Sequence, residues 1–185
     1  MTKLKTACMY LQESKNFLKD YPKITSKFRG CSEQEINKLA SILDEEIPEA
    51  FKEFLRWFGK SGGKILRGTD YYYEYLSGEV YEDLKEEEIL SQNYTFKNVG
   101  IDLLNENNFN GKELLKDTIL FMSHQGYSIE YIKTNEGDNP PVYIFVEQGE
   151  WLEKGPTLWA NSFSEYLLNM LQQEIKALKQ IGQIK

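Results

Sequence analysis

His124 is the only histidine in the chain. A catalytic triad with a histidine base, or any histidine-bearing metal site, would have to use it. Ser123 precedes it, but neighbours along a strand point to opposite faces, which rules out a nucleophile–base pair there. The only cysteines, Cys8 and Cys31, lie far apart with no Cys-x-x-Cys pair. That spacing speaks against zinc and against a disulfide framework, and for small buried thiols. Gly59-Lys60-Ser61-Gly62-Gly63-Lys64 has the composition of a phosphate loop without its order. Ile65 stands where G-x-x-x-x-G-K-[ST] needs a hydroxyl, and the segment follows a predicted helix instead of leading into one. A helix-ending turn is expected. No pair among the 29 carboxylates is singled out for glycoside hydrolysis. The residues thus predict no catalytic group, no metal and no cofactor.

The segment whose composition does stand out is 69–90. It holds Asp70, Glu74, Glu79, Glu82, Asp83, Glu86, Glu87 and Glu88 against Lys85 alone. Tyr71, Tyr72, Tyr73, Tyr75 and Tyr81 are interleaved with these acids. Acids steer a basic partner, and tyrosines supply rigid amphipathic anchors. Acids alone would read as a solvated insert; with the tyrosines interleaved, two readings stand side by side, a solvated surface insert and a partner-binding surface. The candidate contacts are Asp70, Tyr72, Tyr75, Glu79, Glu82, Asp83, Glu86 and Glu87.

The elements around that segment follow from periodicity. Leu4, Ala7, Cys8, Leu11 and Leu18 predict a first amphipathic helix, interrupted at Tyr21-Pro22. Ser32 and Glu35 form a capping box ahead of Ile36, Leu39, Ile42 and Leu43. Pro48 opens a helix whose apolar face is Phe51, Phe54, Leu55 and Phe58, with Gly59 as its stop. Ile65-Leu66 is predicted as a short strand, and about 81–92 as a surface helix. Residues 93–117 read as loop with a short helix or two. The period then changes to two. Thr118–Met122 is a strand, and Tyr127, Ile129 and Tyr131 alternate with Ser128 and Glu130 as in a half-buried strand. A turn-rich 135–141 precedes the β-prone Val142–Val146. Trp151 and Trp159 are expected to pack on the last helix, which Ser162 and Glu165 cap and Phe163, Tyr166, Leu167, Met170, Leu171, Ile175 and Leu178 line. Helices, then consecutive strands, then a helix predict an α+β fold. Its antiparallel or mixed sheet is packed against N-terminal and C-terminal helices. No linker divides 1–185, so a single domain is expected.

Charge bounds the partners. The 185 residues carry 22 basic and 29 acidic side chains, a net charge of −7. This disfavours nucleic acid and anionic membrane and favours a basic partner. Residues 1–38 run the other way, with more bases than acids. No run approaches a membrane span and the N-terminus lacks a signal-peptide core, so a cytoplasmic location is expected.

Four blocks, in order, resemble the SMI1/KNR4 (SUKH) superfamily. Ile47-Pro48-Glu49-Ala50-Phe51-Lys52-Glu53-Phe54-Leu55-Arg56-Trp57-Phe58-Gly59 with Gly62-Gly63 is similar to its proline-led aromatic helix and glycine pair. Ile119–Met122 with Tyr127–Tyr131 resembles its central hairpin. Pro140-Pro141-Val142-Tyr143 resembles the next strand entry, and Ser162–Leu167 the final helix. The resemblance spans about 32–172 and leaves 1–31 as an N-terminal helical extension. Ser123-His124-Gln125-Gly126, Lys133-Thr134 and the acidic insert depart from the family pattern. Bacterial members resemble immunity proteins that neutralise polymorphic toxins; fungal members resemble regulatory scaffolds. The resemblance therefore implies a non-catalytic protein binder. Its expected partner is a toxin domain, such as a basic nuclease; the alternatives are an endogenous protein bound by a regulatory module and, third, an enzyme with an unrecognised carboxylate site.

Overall fold

Ser32 and Glu35 form the expected reciprocal cap. Ser32 Oγ accepts from the Glu35 N–H (3.3 Å), and Glu35 Oε2 accepts from the Ser32 N–H (2.8 Å). The structure, a computed structural model, describes residues 9–66, 71–86 and 94–184, without the Glu86 side chain. Leu4, Ala7 and Cys8 lie outside the described residues. The first half of the chain is helical: α1 (Gln12–Leu18), α2 (Pro22–Thr25), α3 (Glu33–Leu43) and α4 (Glu49–Phe58). Then come α5 (Tyr73–Leu76), a 3-10 turn (Glu79–Tyr81) and α6 (Glu82–Glu86), followed by α7 (Phe96–Glu106) and α8 (Gly111–Leu114). Strands β1 (Thr118–His124), β2 (Ser128–Lys133) and β3 (Val142–Val146), then α9 (Trp151–Lys154), β4 (Thr157–Ala160) and α10 (Phe163–Gln180), complete it. The fold is α+β, with one antiparallel sheet in the order β1-β2-β3-β4.

Two helical layers clasp this sheet. Phe51 and Phe54 of α4 and Phe163 and Tyr166 of α10 form an aromatic cluster around Phe121 of β1. Phe121 is the extra residue of a bulge, since Leu120 pairs with Tyr131 and Met122 with Glu130. The other face meets α7. Gly100 packs closely on it: a Cβ there would overlap the tips of Leu120 and Leu115 and come within 3.3 Å of Ile129 Cδ1, so a larger residue would force these side chains to repack.

Several sequence expectations change here. β2 is buried on both faces, not half-buried: Ser128 and Glu130 are inside along with Ile129 and Tyr131. Ile65-Leu66 is a buried bend, not a strand. The stretch 93–117 contains an eleven-residue helix, α7. Its cap pairs Thr95 with Asn98 where the usual signature has Glu or Gln. The predicted helix at 81–92 is described only as far as α6; residues 87–93 lie outside the described residues. Trp159 is exposed, whereas Trp151 is half-buried and donates to Thr157 Oγ1 (3.0 Å). Glu165 reaches the Asn161 N–H, one residue before the cap it was expected to close.

The α3 cap has a measurable weight. Ser32→Ala removes an acceptor from an exposed helix start and is expected to cost about 1 kcal/mol. Urea denaturation of the two chains checks it, and an unchanged midpoint would count against the cap.

Candidate functional site

The acidic segment is positioned by its tyrosines, which turn inward. Tyr71 and Tyr73 are buried. The half-buried Tyr72 hydroxyl accepts from the Gly62 N–H (2.9 Å) and donates to the Ile65 carbonyl (2.9 Å), tying α5 to the turn after α4. Tyr75, also half-buried, packs on Phe96, with ring centroids 5.9 Å apart. Tyr81 meets Tyr94 edge-on at 5.3 Å. The tyrosines thus act mainly as struts that hold the acids at the surface.

The acids themselves point outward. Glu79, Glu82 and Asp83 are exposed along the 3-10 turn and α6. Asp70 and Glu87 lie outside the described residues, as does the Glu86 side chain. Glu79, Glu82 and Tyr94 face Lys38 and Ile42 of α3 across a groove of about 420 Å³. Ile42, Val80 and Leu84 add exposed apolar surface to the same segments. Two acids are already answered within the chain. Lys38 Nζ lies 3.6 Å from Glu79 Oε1, and Lys85 Nζ lies 3.0 Å from Glu82 Oε1. The exposed Lys38–Glu79 pair contributes about 0–1 kcal/mol, so a partner cation displaces it at little cost; the Lys85 side chain, 9% exposed, is held more firmly. Asp83 has no ion-pair partner among the described residues. Sequence spacing brought out the acids. It missed Val80 and Leu84 as surface groups, because isolated apolar residues carry no periodic signal; Ile42, expected on the apolar stripe of α3 with Ile36 and Leu39, is exposed instead.

The residues weighed for chemistry fall elsewhere. His124 ends β1 half-buried, edge-on to Tyr127 at 5.3 Å, and its Nδ1 has no hydrogen-bond partner among the described residues. Cys31 is a buried free thiol whose pKa burial pushes up to about 12, far from a reactive thiolate. Cys8 lies outside the described residues. The turn after α4 spends its polar groups internally: Lys60 Nζ binds Glu35 Oε1 (2.5 Å) and the Gly63 N–H donates to Ser61 Oγ (3.2 Å). That hydrogen bond to Lys60 leads the causes that hold the Glu35 carboxyl down at about 2. No cluster of three or more His, Cys, Asp or Glu suited to a metal occurs among the described residues.

One ionisable group escaped the sequence reading. Glu130 is 4% exposed, and burial raises its carboxyl pKa to about 7. It lies beside the buried Tyr166 hydroxyl, which favours its charged form and is itself 2.9 Å from the Tyr71 hydroxyl. Glu130 Oε2 finds no hydrogen-bond partner among the described residues. An alternating strand offered no hint of this, because polar alternation reads as a solvent face.

No helix among the described residues is long and apolar enough to cross a membrane. No curated protein matches the chain. The sequence model of the SMI1/KNR4 family (SUKH-1) matches residues 30–169, close to the span of the four blocks. With most of its length matched, and with the proline-led aromatic helix, central hairpin and capped final helix all in place, the chain belongs to the SMI1/KNR4 (SUKH-1) family.

Proposed function

We propose that the chain is a non-catalytic immunity protein that binds a toxin domain directly and occludes it. Family membership supports protein binding in general. The observation that carries the surface is the groove between α3 and α6, where exposed acids sit beside exposed apolar side chains. Acids raise the association rate with a basic surface, and apolar anchors supply affinity. A basic toxin, such as a nuclease that must hold an anionic substrate, suits both. Asp70, Tyr72, Tyr75, Glu79, Glu82, Asp83, Glu86 and Glu87 remain the proposed contact segment, with Tyr72 and Tyr75 as supports.

A pull-down with the full chain tests this, using the product of the adjacent gene as prey and host lysate as control. Tight capture of the neighbour's C-terminal domain, weakening with salt, is the expected result. Capture of an endogenous protein alone would replace this reading with a regulatory scaffold. Reversing Glu82, Asp83, Glu86 and Glu87 together to lysine is expected to weaken toxin binding by at least about tenfold, or 1.4 kcal/mol, with the thermal midpoint retained. Unchanged affinity would remove this surface.

A further inference from the structure

The basic bias of residues 1–38 has a definite place in the fold. Lys15 and Lys38 are matched by Glu53 and Glu79. Lys23, Lys27 and Arg29 are exposed and make no ion pair among the described residues. The same holds for Lys64, which comes from the turn after α4. Two backbone bonds tie the segments together. The Arg29 N–H donates to the Ser61 carbonyl (2.9 Å), and the Ser61 N–H donates to the Arg29 carbonyl (3.1 Å). Ile24 is buried, and the Phe28 ring lies 4.6 Å from Phe58 and 5.5 Å from Trp57, so the first segment is anchored on α4. Gly63 abuts it with φ +66°, and a Cβ there would lie 2.6 Å from Lys27 Cβ. Tertiary contacts thus gather cations from two distant parts of the chain.

Two concavities share Lys64. One, of about 530 Å³, sets it beside Lys27, Phe28 and Arg29. The other, of about 590 Å³, sets it beside Lys23, Tyr21, Pro22 and Ile184. Lys179 adds a charge next to the second, with Nζ 5.2 Å from the centre of the Tyr21 ring. Among the described residues, Asp20 is the only carboxylate that lines either concavity. A chain of net charge −7 thus keeps a concave face where cations alternate with apolar side chains and little counter-charge is present.

We infer that this face docks an acidic segment of a partner protein, with carboxylates against Lys23, Lys27, Arg29 and Lys64 and apolar side chains against Tyr21 and Ile184. Cations without neighbours of opposite sign leave a local positive potential, which an acidic segment complements. Exposed ion pairs are individually weak, so the apolar lining supplies the anchoring part of the affinity. Nucleic acid fits this face less well. Its bases stack on open ring faces, and the rings here are engaged. Tyr21 has Lys179 over it and Phe17 at 5.7 Å, and Phe28 packs on Trp57 and Phe58. A long polyanion also meets the repulsion of the whole acidic chain, whereas a short segment meets the field within about 8 Å of the cations at physiological ionic strength. This face shares no residue with the acidic segment assigned to a toxin, and the inference does not rest on that reading.

Fluorescence anisotropy with the full chain tests it. The probe is a labelled peptide of glutamates with interspersed leucines. One counterpart replaces every glutamate by glutamine; the other is an oligothymidylate of the same length. Wild type is expected to bind the acidic peptide at least tenfold more tightly than either counterpart, with affinity falling as salt rises. Lys27→Glu/Lys64→Glu is expected to lose at least tenfold of that affinity, and Lys27→Gln/Lys64→Gln a smaller part of it. Lys112→Glu/Lys116→Glu, on and just after α8, changes the net charge as much as the first pair and is expected to keep the wild-type affinity. All four side chains are exposed, so each variant is expected to retain the wild-type circular dichroism spectrum. Equal binding of the acidic and glutamine peptides, equal losses from the two charge-reversed pairs, or tighter binding of the oligothymidylate would overturn the inference.

Discussion

Phe163→Ala is expected to destabilise the chain by about 3–5 kcal/mol, the range for deleting a large buried aromatic ring. Phe163 opens α10 and is 1% exposed. Its ring lies 5.1 Å from Phe51, 5.8 Å from Phe54, 5.5 Å from Phe121 and 6.1 Å from Tyr166. It thereby joins α4, β1 and α10, elements that the chain separates widely. Truncation leaves a cavity bordered by four rings, and rings this bulky close over a void poorly. Against a typical domain stability of about 5–15 kcal/mol, the loss amounts to a large fraction of the whole. Urea denaturation should show a much lower midpoint with an unchanged slope. A loss under about 1 kcal/mol would mean that the ring is not the hub of this core.

The second large effect is a pH dependence centred on Glu130. Unfolded, this carboxyl ionises at its ordinary value of 4.5; folded, burial holds its proton until about 7. Between these values the folded state binds more protons than the unfolded state. Stability from this group is therefore fully present below pH 4.5 and is lost as pH rises through about 7. The shift corresponds to about 3 kcal/mol between the two limits. Glu130→Gln keeps the shape and cannot ionise, so its stability should lack this loss. The variant should match or trail wild type at pH 4 and exceed it at pH 8. Urea midpoints of both chains across that window provide the check, and parallel profiles would refute the assignment.

Glu130 also shows where pattern reading fails. A carboxylate set between Ile129 and Tyr131 would ordinarily mark a solvent face, yet α10 covers that side of β2 with Tyr166. Ile129, on the opposite side, approaches Gly100 of α7, and Tyr131 stacks on Tyr143 of β3. Which faces of a sheet are covered depends on where distant helices dock, and the strand's own residues do not carry that information.

Other elements were legible because their signals are local. The Ser32–Glu35 cap, the Pro48-led aromatic helix and the Val142–Val146 strand all stand where spacing put them. The helix α7 was under-read because Gly100 lowers its propensity and its cap uses Asn98; packing against Leu120 makes up the difference. Ile65-Leu66 has strand-like residues, but among the described residues no strand pairs with it, and it is buried as a bend instead.

By itself, then, the sequence determined the α+β class, the order of the elements and the acidic character of the segment that includes α6, since each depends on neighbours within a few turns of the chain. Only the tertiary structure decided that the tyrosines of that segment serve as struts and that Glu130 is buried. Those outcomes depend on contacts between residues far apart in the chain, and burial, which sets both the energy of a charge and the reach of a ring, is a property of the packed molecule.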